Sequence, residues 1–244
     1  MALVESAVDT LESALRAERA GAGRIELCAA LNDAGITPSA GLISAVTERC
    51  GIPVFVLIRP RGGGFVYSEA ELAIMARDVK TARSLGAQGI VIGALDEIGK
   101  IDLAGTHELV RAAEDLPVTF HRAFDLVANQ TEALEQLIAA GVARVLTSGG
   151  ANTALEGAPR IAAMVNQGRG RLRIIAGGGV RENNVREIIS LTGVEEVHAR
   201  IASIVSPTGY TRATVKLRKR LPDNEAAWEE LDESRMRDLV EQAG

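Results

Sequence analysis

The sequence predicts a (β/α)₈ barrel, and three observations carry the prediction. One phrase is written four times without gaps: Gly21-Ala-Gly-Arg-Ile-Glu-Leu-Cys28, Gly86-Ala-Gln-Gly-Ile-Val-Ile-Gly93, Gly141-Val-Ala-Arg-Val-Leu-Thr-Ser148 and Gly193-Val-Glu-Glu-Val-His-Ala-Arg200. Each copy opens on a glycine suited to end a helix and runs into a branched stretch suited to a strand. Strand candidates recur every 20 to 36 residues or so, the size of a βα unit. The chain has 244 residues, close to the roughly 250 typical of this barrel. An open doubly wound sheet would instead place Gly-x-Gly-x-x-Gly after the first strand. That strand ends Ala7-Val8-Asp9-Thr10, with no glycine.

The strands are expected at Leu3–Val8, Arg24–Cys28, Pro53–Ile58, Gly89–Ile92, Pro117–His121, Arg144–Thr147, Arg173–Ala176 and Glu196–Ala199. Four helix starts carry capping-box patterns: Asp9-Thr-Leu-Glu12, Ser68-Glu-Ala-Glu71, Asn129-Gln-Thr-Glu132 and Thr153-Ala-Leu-Glu156. The helix after the second strand starts near Ser39. The last unit is irregular. The chain passes Pro207 and the basic stretch Lys216–Arg220 before Asn224–Gln242 reads as helix. One domain over 1–244 is expected, with 207–244 a tail that either closes the barrel late or packs on a partner subunit.

Apolar residues make up 47% of the chain and aromatic residues 3%, so the core is aliphatic, as suits parallel strands covered by helices. A net charge of −5 argues against a general nucleic-acid binder. No apolar run reaches the roughly 20 residues of a membrane span, and no charged leader with an apolar core opens the chain. Two cysteines are too few for a disulfide framework, which points to a reducing, cytoplasmic setting.

Alternate residues of a strand face opposite ways. In the four repeats Ile25, Ile90, Val145 and Val197 share the helix-facing column. Glu26, Val91, Leu146 and His198 then face inward, with Cys28, Gly93, Ser148 and Arg200 one step nearer the strand ends. A weaker match of Val4–Asp9 to Phe120–Asp125 turns Glu5 and His121 inward, and the third strand adds Phe55, Leu57 and Arg59. Unpaired charge is costly inside a barrel, so Glu5, Glu26, Arg59, His121 and His198 are expected to pair. They lie towards the carboxyl ends of strands, where barrel active sites form. Glu5, Glu26, His121 and His198 are the candidate acid–base groups. Arg59, Arg61 and Arg122 are candidate anion contacts. So are the glycine turns Ser148-Gly149 and Gly178-Gly179, whose N–H groups suit an oxyanion. Asp125 reads as a turn cap. No classical zinc spacing is present.

Several motifs resemble the CutC family, described as copper homeostasis proteins: Arg24-Ile-Glu-Leu-Cys28, Gly35-Ile-Thr-Pro-Ser39, Ile58-Arg-Pro-Arg-Gly-Gly63, Phe120-His-Arg-Ala-Phe-Asp125, Leu146-Thr-Ser-Gly-Gly150, Gly177-Gly-Gly-Val-Arg181 and Glu196-Val-His198. The resemblance runs from about Val4 to His198. It implies a (β/α)₈-type barrel, a cytoplasmic location, a homodimer and copper(I) as a ligand, with Cys28 in the metal position. Ala7 stands where that family carries a second cysteine, so a two-thiolate site within one chain is not available. Gly64 and Arg200 also depart from the pattern, while Glu5, Glu26, Arg59, Arg61, His121, Arg122 and His198 match it. Two readings stay open: copper handling, as the resemblance implies, or an enzyme of lyase or isomerase type acting on a small anionic metabolite.

Overall fold

The computed structural model describes residues 2–206 and 227–244. Eight parallel strands close into a barrel in sequence order: β1 (Leu3–Val8), β2 (Arg24–Leu27), β3 (Val54–Leu57), β4 (Gly89–Ile92), β5 (Val118–Phe120), β6 (Arg144–Thr147), β7 (Arg173–Gly177) and β8 (Glu196–Ala199). Seven helices alternate with them: α1 (Leu11–Arg19), α2 (Ala40–Thr47), α3 (Glu69–Ser84), α4 (Leu103–Ala113), α5 (Gln130–Ala139), α6 (Ala158–Gly168) and α7 (Val185–Thr192).

Local chemistry sets the helix starts. Ser68 and Glu71 form a reciprocal capping box at α3, which satisfies two amides that the first turn leaves unpaired. Asn129 caps α5 and Ser39 caps α2 through side-chain oxygens. Two starts differ from expectation. Thr10, not Asp9, caps α1. Thr153 does accept from the Glu156 amide, but the helix begins five residues later at Ala158, with Pro159 in its first turn. Proline's fixed φ and missing N–H suit that position.

The region after β8 departs most from the sequence reading. Ala202–Val205 forms β9, which pairs antiparallel with β10 (Trp228–Leu231). The helix predicted over Asn224–Gln242 is therefore contradicted at Trp228–Leu231, and among the described residues of that stretch only α8 (Glu233–Gln242) is helical. Residues 207–226, including the basic stretch, lie outside the described residues. α8 packs against α1 and α7, and Ala2 N–H donates to the Ala243 carbonyl at 3.1 Å. The chain's end thus closes the helical ring on its beginning.

The inward columns fall where period-two alternation puts them. Ile25, Ile90, Val145 and Val197 are buried in the aliphatic shell between strands and helices, while Cys28, Phe55, Leu57 and Val91 form a separate cluster. Gly89 makes room for the Phe55 ring, since a Cβ there would stand 2.5 Å from it.

Candidate active site

The site rests on a charged layer at the amino-terminal side of the barrel, made by the repeat column Arg24, Gly89, Arg144 and Glu196. The Arg24 guanidinium pairs with Glu5 and reaches Glu196 at 2.5 Å. Glu196 also takes Arg144 at 3.2 Å and Arg173 at 3.0 Å. Arg24 and Arg144 both lie over one interior ring, 4.9 and 5.3 Å from the centroid of Phe55. Buried charge is tolerated when it is paired and hydrogen-bonded, and this layer meets both conditions. It was missed in the sequence, although the same alignment that marks Glu26 and His198 contains it two positions earlier.

Barrel stagger links this layer to the next. In register, Glu5 on β1 lies beside Arg24 on β2 and beside His198 on β8. Its Oε1 is 2.8 Å from His198 Nδ1. Burial opposes the charge of Glu5, but the bonds from His198 and Arg24 outweigh it and hold its pKa at about 2. An ionised carboxylate only accepts, so His198 carries a proton on Nδ1. His198 Nε2 stands 3.5 Å from Glu26 Oε2. Burial raises the pKa of Glu26, and Glu5 adds to the rise. Burial opposes the charge of His198 as well, yet Glu26 and Glu5 overcome it and raise its pKa. Glu5, His198 and Glu26 therefore form one line, anchored at Arg24 and open at Glu26.

His121, at the end of β5, is 7% exposed. Its Nδ1 accepts from the Ala123 N–H at 3.1 Å. Burial, helped by the charge of Arg59, lowers its pKa to about 3. The ring is therefore neutral, and its one proton sits on Nε2, which has no partner among the described residues. Gly93 leaves the space that this ring fills, since a Cβ there would lie 2.2 Å from it. Phe65 covers the ring at a centroid distance of 4.9 Å.

Glu26, His121 and His198 line one cavity of about 340 Å³, together with Ala7, Cys28, Arg59, Phe65, Arg122, Gly178, Gly179, Arg181 and Arg200. The other candidates fare differently. Arg59 spends its guanidinium on the carbonyls of Asp33, Gly35 and Gly63 and stacks on Phe65. It ties two loops together and braces the ring over His121, rather than presenting a free fork to an anion. Arg61 lies outside the cavity, paired with Glu71 and over the Tyr67 ring. The turn after β6 is also filled. Asp125 accepts from the amides of Ser148 and Gly150, and the Gly149 amide donates to Thr147. An internal carboxylate occupies the place predicted for an external anion. Arg200 at the rim donates to the Leu31 carbonyl and to Asn32, and pairs with Glu229 of β10.

Fold and pocket together define a TIM-type barrel with a cavity lined by ionisable side chains at the carboxyl ends of its strands. The chain belongs to the CutC family, whose model matches residues 2–203. It is 48% identical over 201 residues to the copper homeostasis protein cutC homolog of Mus musculus, covering 82% of this chain and 74% of that protein. It is 43% identical to a family protein CutC of Histophilus somni, covering 92% and 93%. The crystal structure of CutC from Streptococcus agalactiae superposes with a TM-score of 0.78 at 37% identity, covering 81% of this chain and 98% of that one. A phosphoribosylanthranilate isomerase from Thermotoga maritima shares the fold at a TM-score of 0.58 and 14% identity, covering 100% and 98%.

The donor set does not fit copper(I), which favours thiolate and thioether ligands. Cys28 is buried, and burial together with Glu26 pushes its thiol well above its usual pKa. Its neighbours in the interior cluster are Phe55, Leu57 and Val91, and Cys50 belongs to the other packing shell. Among the described residues no group of three His, Cys, Asp or Glu side chains is arranged to hold a metal ion.

Proposed function

We propose that the cavity is the active site of an acid–base enzyme, of isomerase or lyase type, acting on a small anionic carbonyl compound. The single observation that carries this is the pairing of two opposite histidine states in one cavity. His198 has its basicity raised between two carboxylates, and His121 is held neutral with an unpartnered Nε2–H. Such divergence separates base from acid in enzymes that move protons at neutral pH.

In this reading Glu26 removes a proton from the carbon next to the carbonyl. The C–H electrons form the new C=C bond, and the carbonyl π pair moves to oxygen. The Nε2–H of His121 stabilises that oxygen as charge builds on it. His198 shares the proton that Glu26 takes up, and Glu5 holds His198 in the tautomer this requires. Return of the proton to the adjacent carbon completes an isomerisation with no net oxidation. Loss of a β-substituent from the same intermediate gives elimination instead. No helix among the described residues is long and apolar enough to cross a membrane.

The test is solvent exchange. The protein is incubated in D₂O with a panel of phosphorylated and carboxylated hydroxycarbonyl compounds, and deuterium is read at carbon by NMR. At least one compound is expected to exchange with the wild-type protein. A panel with no exchange above the uncatalysed rate would remove the proposal.

The copper named in relatives bears on one residue here. Cys28→Ser is expected to leave copper(I) affinity unchanged in competition with bicinchoninate, because the thiol stays protonated inside the barrel. A large loss of affinity in that variant would restore copper as the ligand of this cavity.

A further inference from the structure

Two neighbouring strands end in turns of similar make-up, and the protein treats them differently. After β6, the amides of Ser148 and Gly150 converge on the carboxylate of Asp125. After β7, Gly178 and Gly179 have φ of +99° and +70°. Successive backbone N–H groups in a turn are one of the ways a protein holds an anion. Neither amide donates to any acceptor among the described residues, and both glycines line the cavity. The first turn shows what such amides take, a carboxylate oxygen, and the second has no such counterpart among the described residues.

Arg122 joins the two turns. Its Nε binds Asp125 and its Nη2 binds Ser148 Oγ, both at 2.8 Å. Its Nη1 makes no hydrogen bond among the described residues. That atom lies 3.2 Å from where a Cβ of Gly178 would stand, so it faces the open turn. His121, more than nine-tenths buried with its Nε2 unpartnered, lines the same cavity.

We infer that Gly178, Gly179 and Arg122 anchor the terminal phosphate of a short monophosphate ester, whose carbonyl end reaches Glu26 and His121. Two amides and one guanidinium nitrogen give three donors from separate elements. Three terminal oxygens of a phosphate match them better than the two coplanar oxygens of a carboxylate. A cavity of about 340 Å³ stands at the small end of ligand sites, which favours a short carbon chain over a nucleotide. The carbonyl end rests on the acid–base reading above, whereas the phosphate anchor stands on the turn and Arg122 alone.

Inorganic phosphate is the first probe, followed on the amide resonances of the wild-type protein. Gly178 and Gly179 are expected to shift on titration, while Ser148 and Gly150, held by Asp125, stay still. Formate is expected to bind the same turn about tenfold more weakly or worse, as the loss of one charge-assisted bond implies. Arg122→Gln and Gly179→Ala are each expected to weaken phosphate binding by about tenfold or more, and Arg173→Met, exposed at the opposite end of the barrel, to leave it unchanged. Unshifted Gly178 and Gly179 resonances, or formate binding as tightly as phosphate, would overturn the assignment. The exchange panel separates this inference from the reading beneath it. Phosphate on the turn without exchange of any compound leaves the anchor standing and removes the acid–base step. Exchange of carboxylated compounds with no response to phosphate does the reverse.

Discussion

Arg24→Met is expected to lower the unfolding free energy by about 3–5 kcal/mol, the usual cost of removing one partner from a buried ion pair. Arg24 is 3% exposed and stands between Glu5 and Glu196, whose side chains are each 1% exposed. Methionine fills much of the space but leaves Glu5 facing only His198. Glu196 retains Arg144 and Arg173, so the damage centres on Glu5. For a chain of this length a loss of that size lowers Tm by roughly 10 °C, readable by calorimetry. Arg173→Met is the matched control, because Arg173 is 60% exposed. It is expected to cost under about 1 kcal/mol, as surface pairs do. Equal losses in the two variants would contradict the account of the charged layer.

The same layer sets an acid limit. Against strong burial, the pKa of Glu5 is lowered from 4.5 to about 2 by His198 and Arg24, and that of Glu196 is lowered by Arg24, Arg173 and Arg144. A lowered carboxyl contributes stability that is complete above its unfolded pKa and is lost as pH falls through its folded one. The layer's contribution is therefore expected to drain below about pH 4.5 and down towards pH 2. His121, lowered from 6.5 to about 3, adds its own loss from about pH 6.5 downward, while Glu26, raised by burial, acts in the opposite sense. In Arg24→Met this acid loss is expected to begin at higher pH, because the pKa of Glu5 rises when its cation is removed.

Glu26→Gln is expected to reduce deuterium exchange by about 10²–10⁴-fold, the range of general acid–base catalysis. Glutamine keeps the size of the side chain but cannot accept the proton. It also removes the carboxylate 3.5 Å from His198 Nε2, the largest influence raising the pKa of His198, so that pKa falls while Glu5 still supports it. Little loss of fold is expected. Glu26 makes no bond to Arg24, and its burial disfavours the charge that glutamine lacks. Any residual exchange is expected to follow the remaining titration of His198. Unchanged exchange in this variant would place the base elsewhere.

Much of this site could be read from the repeats because strand alternation is strict. Aligning four phrases gave β2, β4, β6 and β8, and the same alignment turned Glu26 and His198 to one side. A weaker likeness between β1 and β5 turned Glu5 and His121 inward. What was not legible depends on the path of the chain between strands. Arg59 and Arg61 lie in one glycine-rich loop, and nothing local says that the first meets carbonyls from the loop before α2 while the second meets Glu71. Asp125 read as a turn cap, but its target lies 23 residues on at Ser148. Trp228–Leu231 sits within a polar stretch that reads as helix, and it becomes β10 only because β9 lies beside it. Arg24, Arg144 and Glu196 were visible in the alignment, yet charged residues at a strand's start read as solvated until the register shows them facing one another.

The most direct measurement of the central claim is a histidine titration by two-dimensional ¹⁵N–¹H NMR, which reads tautomer and charge without any substrate. The protein has three histidines, of which His121 and His198 line the cavity. His121 is expected to stay neutral with its proton on Nε2 from pH 8 downward, charging only near its pKa of about 3. His198 is expected to hold its Nδ1 proton throughout and to titrate above the usual 6.5. A His121 that charges near pH 6.5, or that carries its proton on Nδ1, would contradict the account.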